Sequence, residues 1–320
     1  MPTSTVNNSA ALATGLTLER VRQLTHGTIL ERIGGTPLVP LRRFSAGLRG
    51  EIWAKLESAN PGGSVKDRAA LWMVLAAEES GALPSASRSI LDATSGNTGV
   101  ALAMVGAARG HAVTLCMPDR VSLERKRIAA AFGARIVSTD PLEGTDGAIR
   151  EARRLAATDP EHYVYVDQYS NVANVAAHER STAPEVWAQT DGRLTHVVAG
   201  VGTGGTVVGL SRWLRPHGVR LVAVQPDAPL HGLEGLKHMA SAIRPAIWDE
   251  SVADEHATAS TDEAHALVRR LAREEGILAG PSSGAALATA LRIAAREESL
   301  VVAVLPDGGE RYLSTGLWED

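Results

Sequence analysis

Arg88 to Gly110, "RSILDATSGNTGVALAMVGAARG", reads as a strand, a loop and a helix. The apolar run "RSILDA" stops at "TSGNTG" (Thr94–Gly99), and an Ala-rich stretch ending on glycine follows. The same succession recurs on both sides. "HAVTLCMP" precedes "SLERKRIAAAFG", and "ARIVST" precedes "GTDGAIREARRLAAT". Beyond "YVYVDQYSN" it resumes with "THVVAGVG", "GTVVGLSRWLRPHG" and "RLVAVQPD". It closes with "GAALATALRIAAREE" and "LVVAVLPD". Short strands alternating with helices predict an α/β fold on parallel sheets, here as two units meeting near residues 170 to 175. Ser260 and Glu263 form a capping box that opens one late helix, and Gly276 stops it.

Composition narrows the function classes. The 320 residues are 44% hydrophobic and 21% charged, with a net charge of −4 and no long basic run. That disfavours nucleic acid or a membrane surface as partner. The single cysteine, Cys116, lies in the apolar run "AVTLCMP" and reads as a buried, inert thiol suited to a reducing cytoplasm. The first 17 residues, "MPTSTVNNSAALATGLT", lack the basic start and apolar core of a secretion signal and read as a flexible tail.

In parallel α/β sheets ligands sit beyond the carboxyl ends of strands, so the loops after the apolar runs carry the chemistry. "TSGNTG" opens a helix with small hydroxyl and amide side chains, a seat for a carboxylate or simply a capped turn. "GVGTGGT" (Gly200–Thr206) also enters a helix, and its glycines let backbone amides wrap a phosphate. Gly200, Gly202 and Gly205 satisfy G-x-G-x-x-G, with Asp227 about 20 residues on, so a nicotinamide or flavin enzyme competes. "AGPSSGA" (Ala279–Ala285) offers Ser282 and Ser283 either as helix caps or as a hydroxyl toward a ligand.

"NPGGSVKDR" (Asn60–Arg68) adds a lysine, Lys66, in the first turn of a helix, where a cation is mildly disfavoured. Dinucleotide binding would use "GVGTGGT" and leave the lysine and "TSGNTG" without a role. Pyridoxal phosphate needs an amine, a phosphate seat and a partner for its ring nitrogen, and so joins all four segments.

"GGTPL" (Gly34–Leu38), "NPGGSVKDR", "TSGNTG", "GVGTGGT" and "AGPSSGA", in this order, resemble the cysteine synthase and cystathionine β-synthase family of pyridoxal-phosphate enzymes, fold type II. The resemblance runs from Gly34 to Trp318, and the ending "PDGGERYLSTGLW" is most similar to bacterial cysteine synthases of the B type. It implies two three-layer α/β domains with the cofactor in the cleft between them. The first would span 61–171, and the second 39–60 plus 172–320. It further implies that Lys66 carries the cofactor as a Schiff base and that Asn97 bonds its ring hydroxyl. Gly202, Thr203, Gly204, Gly205 and Thr206 would hold its phosphate, and Ser282 would face its ring nitrogen. Thr94, Ser95, Thr98 and Gln168 would bind the substrate carboxylate. A neutral serine at the ring nitrogen favours prompt loss of a leaving group over transamination.

The implied reaction converts O-acetyl-L-serine or O-phospho-L-serine and a sulfide donor to L-cysteine. A cystathionine β-synthase or a serine/threonine dehydratase is the alternative, and a non-catalytic scaffold or an oxidoreductase ranks below them. "HGLEGLKHM" (His231–Met239) places Lys237 where relatives meet an anionic substrate or sulfur donor, unless the loop is merely solvated. Val172 stands where proline is usual and Ala183 where glycine is usual, both on the substrate side. A cytoplasmic homodimer is expected, with no metal and with free sulfide or a sulfur-carrier protein as donor.

Overall fold

The computed structural model of the chain describes residues 15–84 and 88–319. Among the described residues, ten strands form two sheets. The smaller contains β3 (Ser89–Ala93), β4 (Val113–Pro118), β5 (Arg135–Thr139) and β6 (Tyr163–Tyr165), ordered β5-β4-β3-β6 and parallel throughout. The larger contains β1 (Leu38–Pro40), β2 (Glu51–Leu56), β7 (His196–Gly200), β8 (Arg220–Pro226), β9 (Glu255–Ala259) and β10 (Leu300–Leu305). Its order is β1-β2-β10-β7-β8-β9, with only β1 antiparallel to its neighbour.

The apolar runs are strands covered on both faces. Every residue of β3, β4 and β10 is buried, which is why these segments show no polar alternation. Edge strand β9 is less legible: it exposes alternate residues, and "EHATA" gives no apolar run, whereas the half-exposed edge strand β5 is the run read as "ARIVST". Cys116 in β4 is fully buried, and burial pushes its thiol up to about 12, the inert state anticipated. The late helix runs Thr261–Glu275, with Ser260 Oγ accepting from the Glu263 amide and Gly276 left-handed at φ 69°. Residues 1–14 of the anticipated tail lie outside the described residues, whereas Leu16 is buried and its carbonyl accepts from Arg180. Among the described residues no helix is long and apolar enough to cross a membrane.

Three site-bearing loops follow from the topology. They leave the carboxyl ends of β3, β7 and β10, the last two being adjacent strands in register at Val198 and Ala303. A fourth segment, the helix Lys66–Glu79, is buried over most of its length. A charge cluster fastens it. Arg68 donates to both oxygens of Glu57 (2.7 and 2.9 Å) and to both of Glu185 (2.7 Å each). It also reaches Ser181 and Thr36, while Lys55 donates to Glu185 at 2.9 Å. Burial opposes these charges, but the guanidinium keeps Glu57 below the usual carboxylate range and holds Glu185 at about 2.

Removing one partner from such a cluster leaves buried carboxylates uncompensated. Arg68→Met is expected to destabilise the protein by about 3–5 kcal/mol in urea unfolding. Adding Glu57→Gln to that variant should recover part of the loss, because one orphaned charge disappears with it.

Candidate active site

Lys66 is the first residue of its helix, is half-buried, and has Val65 as its N-cap without a side-chain cap. The turn before it is locked to the end of β10. Ser64 pairs with Asp307 in an antiparallel bridge, and the Val65 amide donates to Pro306 O at 2.8 Å. Burial pushes the Lys66 amine below its ordinary value, against the attraction of Asp307 and Glu57. An amine in this setting loses its proton more readily than one in water, which suits nucleophilic or base chemistry.

In the loop after β3, Thr94 Oγ1 accepts from the amides of Gly96 (2.9 Å) and Gly99 (3.2 Å), so this hydroxyl is a cap. Thr98 donates to Gln168 Oε1 at 2.7 Å, and Gln168 Nε2 donates to Ala93 O at 2.6 Å. The side chains therefore brace one another, and the amides of Asn97 and Thr98 at the start of the helix Asn97–Arg109, which have no intrahelical acceptor, are left for an anion.

In the loop after β7, Gly204 is left-handed at φ 91° and begins the helix Gly205–Leu214. A Cβ on Gly202 would collide with Gly235 O, and one on Gly204 would come within 2.9 Å of Trp248. Thr203 Oγ1 accepts from Asn174 at 3.1 Å and from the Gly205 amide at 3.3 Å. Thr206 Oγ1 lies 3.2 Å from Nε2 of His178, whose burial pushes its imidazole down to about 3 and keeps it neutral. The helix Pro281–Arg296 has Gly280 as N-cap, so neither Ser282 nor Ser283 caps it. The serines fall inside the first turn because Pro281 already occupies its opening position.

These segments line one cleft. Its wall contains Lys66, Thr94, Ser95, Asn97, Thr98 and Gln168 on one side of the chain. Gly202, Thr203, Gly204, Thr206, Lys237 and Ser282 complete it. Of the residues anticipated from sequence, Gly205 alone is set back, where a Cβ would meet Asn174. Lys237 donates to Asp146 at 2.9 Å and to Ile243 O at 3.3 Å, with its amine 5.1 Å from the Tyr169 ring centre. Its charge is already partnered.

The wall also contains Arg125 and Tyr312, which sequence reading did not single out. Arg125 pairs with Glu234, donates to Ser95 O at 3.2 Å and lies 4.5 Å over the Tyr312 ring. Behind them Asp307 and Arg311 both bond Asn97. "PDGGERY" follows the apolar run "LVVAVL", so the rule that directed attention to other post-strand loops would have found it. A glycine cradle with no room for Cβ atoms, a helix N-terminus, a reactive amine and a hydroxyl in one cleft fit pyridoxal phosphate.

Comparison with known proteins agrees. A family model described as pyridoxal-phosphate dependent enzyme matches residues 29–307. The chain is 51% identical over 303 residues to a cysteine synthase of Aquifex aeolicus (strain VF5), covering 92% of each. Its structure is similar to a cysteine synthase from Entamoeba histolytica, with TM-score 0.87, 37% identity and coverage of 92% and 91%. It is also similar to an O-ureido-L-serine synthase, with TM-score 0.85, 41% identity and coverage of 92% and 95%.

The Lys66 turn carries a titration of its own. Asp67 accepts from the Gly62 amide, and burial pushes its carboxyl up from 3.8 to about 7. A carboxyl raised on folding favours the fold at low pH, and that contribution is lost as pH climbs through the folded value. Asp67→Asn should therefore gain stability relative to the parent as pH rises from roughly 4 to roughly 7, and level off above that. Urea unfolding across this range checks it; a pH-independent difference would remove Asp67 as the titrating group.

Proposed function

Because the chain belongs to the pyridoxal-phosphate dependent enzyme family, we propose that it is a cysteine synthase. It replaces the β-substituent of O-acetyl-L-serine or O-phospho-L-serine with sulfur from a sulfide donor, giving L-cysteine. The observation that carries this reading is the convergence of Lys66, the Thr94–Thr98 loop and the Gly202–Thr206 loop on one cleft. Pyridoxal phosphate, when bound, supplies the electron sink for charge developing at the substrate's α-carbon.

The chain's own residues do the rest. Backbone amides at Gly202–Thr206 and the start of the helix Gly205–Leu214 hold the phosphate. Ser282 would face the ring nitrogen and Asn97 the ring oxygen. Lys66 would anchor the cofactor, and its Nζ would take the substrate's α-proton. Its depressed proton affinity keeps the free-base form accessible. The amides around Ser95, Asn97 and Thr98 take the carboxylate, and the Thr98–Gln168 bond keeps that loop in one geometry. Fixing the carboxylate directs the α-proton toward Nζ. Thr94, as the loop's internal cap, supports the same geometry.

The reading extends to a cytoplasmic homodimer, to domains of 61–171 and 39–60 plus 172–320, and to a sulfur-carrier protein as one form of the donor. A second reading, an acceptor other than sulfide, is favoured by the likeness to the O-ureido-L-serine synthase. Supplying sulfide or an oxygen nucleophile to the same assay separates the two.

The cofactor-loaded protein should form cysteine from at least one of the two serine esters plus sulfide; no product from either would sink the reading. Lys66→Ala should abolish turnover and the covalent adduct that borohydride fixes at this position, and a fully active variant would refute its role. Lys237→Ala tests the remaining basic residue. With its amine tied to Asp146, it should slow both esters by a similar factor. A selective loss with O-phosphoserine would instead make Lys237 the anion seat.

A further inference from the structure

Asn97 lines the cleft, but its side chain is held from behind. Arg311 donates to Asn97 Oδ1 at 3.0 Å, and Asn97 Nδ2 donates to Asp307 Oδ2 at 2.6 Å. A guanidinium has only donors and an ionised carboxylate only acceptors, so the two contacts fix which end of the amide is nitrogen. One N–H of that nitrogen is engaged. The other is available to whatever fills the cleft.

Asp307 is itself fixed on every side. Tyr312 Oη donates to the same Oδ2 at 2.6 Å. Its backbone bridges to Ser64, and its carbonyl accepts from the Gly280 amide at 3.2 Å. Oδ1 is buried without a partner and lies where a Cβ on Gly280 would collide with it. Asp307 is 1% exposed. A carboxylate so confined cannot swing away from Asn97, and a side chain that accepts only cannot tolerate the flipped amide.

We propose that Asp307 is a positioning residue that holds the Asn97 amide so that an N–H, and not the carbonyl, faces the cofactor's ring oxygen. This rests on the reading that the cleft holds pyridoxal phosphate. A donor at that point favours the ring oxygen as an anion; a carbonyl there would repel it. Asp307 acts only through Asn97, and the sequence places them 210 residues apart.

Asp307→Asn preserves shape but can offer a donor in place of an acceptor, which leaves Arg311 alone to hold the orientation of the Asn97 amide. Cofactor affinity, measured by titrating apo-protein, should fall about tenfold, the loss expected for one hydrogen bond involving a charged group. The pH midpoint between the bound cofactor's two visible absorption forms should rise, because the ring oxygen holds its proton longer. In an Asn97→Ala background the same substitution should change neither quantity. Asp307→Ser, which also can donate, should repeat the single-variant result if the asparagine variant folds poorly. Unchanged affinity and midpoint in the single variants, or equal effects with and without Asn97, would overturn the proposal. So would a fall in the melting temperature of the apo-protein with both cofactor readouts unmoved, since that is a packing role alone. A parent protein that takes up no pyridoxal phosphate would overturn the underlying reading as well, and is distinguished by its lack of any visible band.

Discussion

The grip of Arg68 on Glu57 and Glu185 is the constraint on which the rest of the molecule depends. Four charge-assisted bonds of 2.7–2.9 Å run from one guanidinium to two carboxylates on separate segments, one after β2 and one in the helix Ala183–Gln189. Arg68 stands two residues after Lys66, so about 200° of helical turn separates their side chains. One side of the first turn is therefore fastened into a buried ion cluster while the other presents an amine to the cleft. Lys66 itself needs no ion pair to hold it in place. It remains available because its helix is anchored elsewhere.

Much of the fold is legible in the sequence because the central strands are covered on both faces. β3, β4, β7, β8 and β10 announce themselves as apolar runs, and the helices between them end on glycine or open on a cap. β2 and β9 are harder to see. "EIWAKL" alternates with a lysine that is fully buried only because Glu185 and Gln189 receive it, and "EHATA" is a half-exposed edge. Their pairing depends on partners remote in sequence, which no local pattern records. The same holds in the site. The loops with glycines and hydroxyls stand out locally. Arg125 reads as one of several charges on a helix, although it packs against Tyr312 near the C-terminus and pairs with Glu234.

The serines after Gly280 show a finer limit. Serine before a helix suggests a cap, but Pro281 already sets the first helical position and moves both serines one step inside. Ser282 then turns toward the cleft and Ser283 is buried with no bonded partner for its hydroxyl. A shift of one residue decides between a capping hydroxyl and one that meets a ligand, and one-residue accuracy at helix ends is where sequence patterns are weakest.

The charges around the cleft lead to a last step. Lys237 is paired with Asp146, Arg125 with Glu234, and Arg311 sits against Asn97 and the Gly62 carbonyl. Burial lowers the proton affinity of Lys66. The described cations lining the wall are thus each compensated or disposed to lose charge, although the proposed ligands carry a phosphate and a carboxylate. Recognition of those anions then falls to backbone amides at two helix N-termini, fixed by glycine geometry and by the Thr94 and Thr203 hydroxyls. Such dipoles are oriented before any ligand arrives and bring no mobile charge that could pair with the wrong group. A carboxylate would be held where the amides converge, beside a lysine whose proton affinity burial lowers.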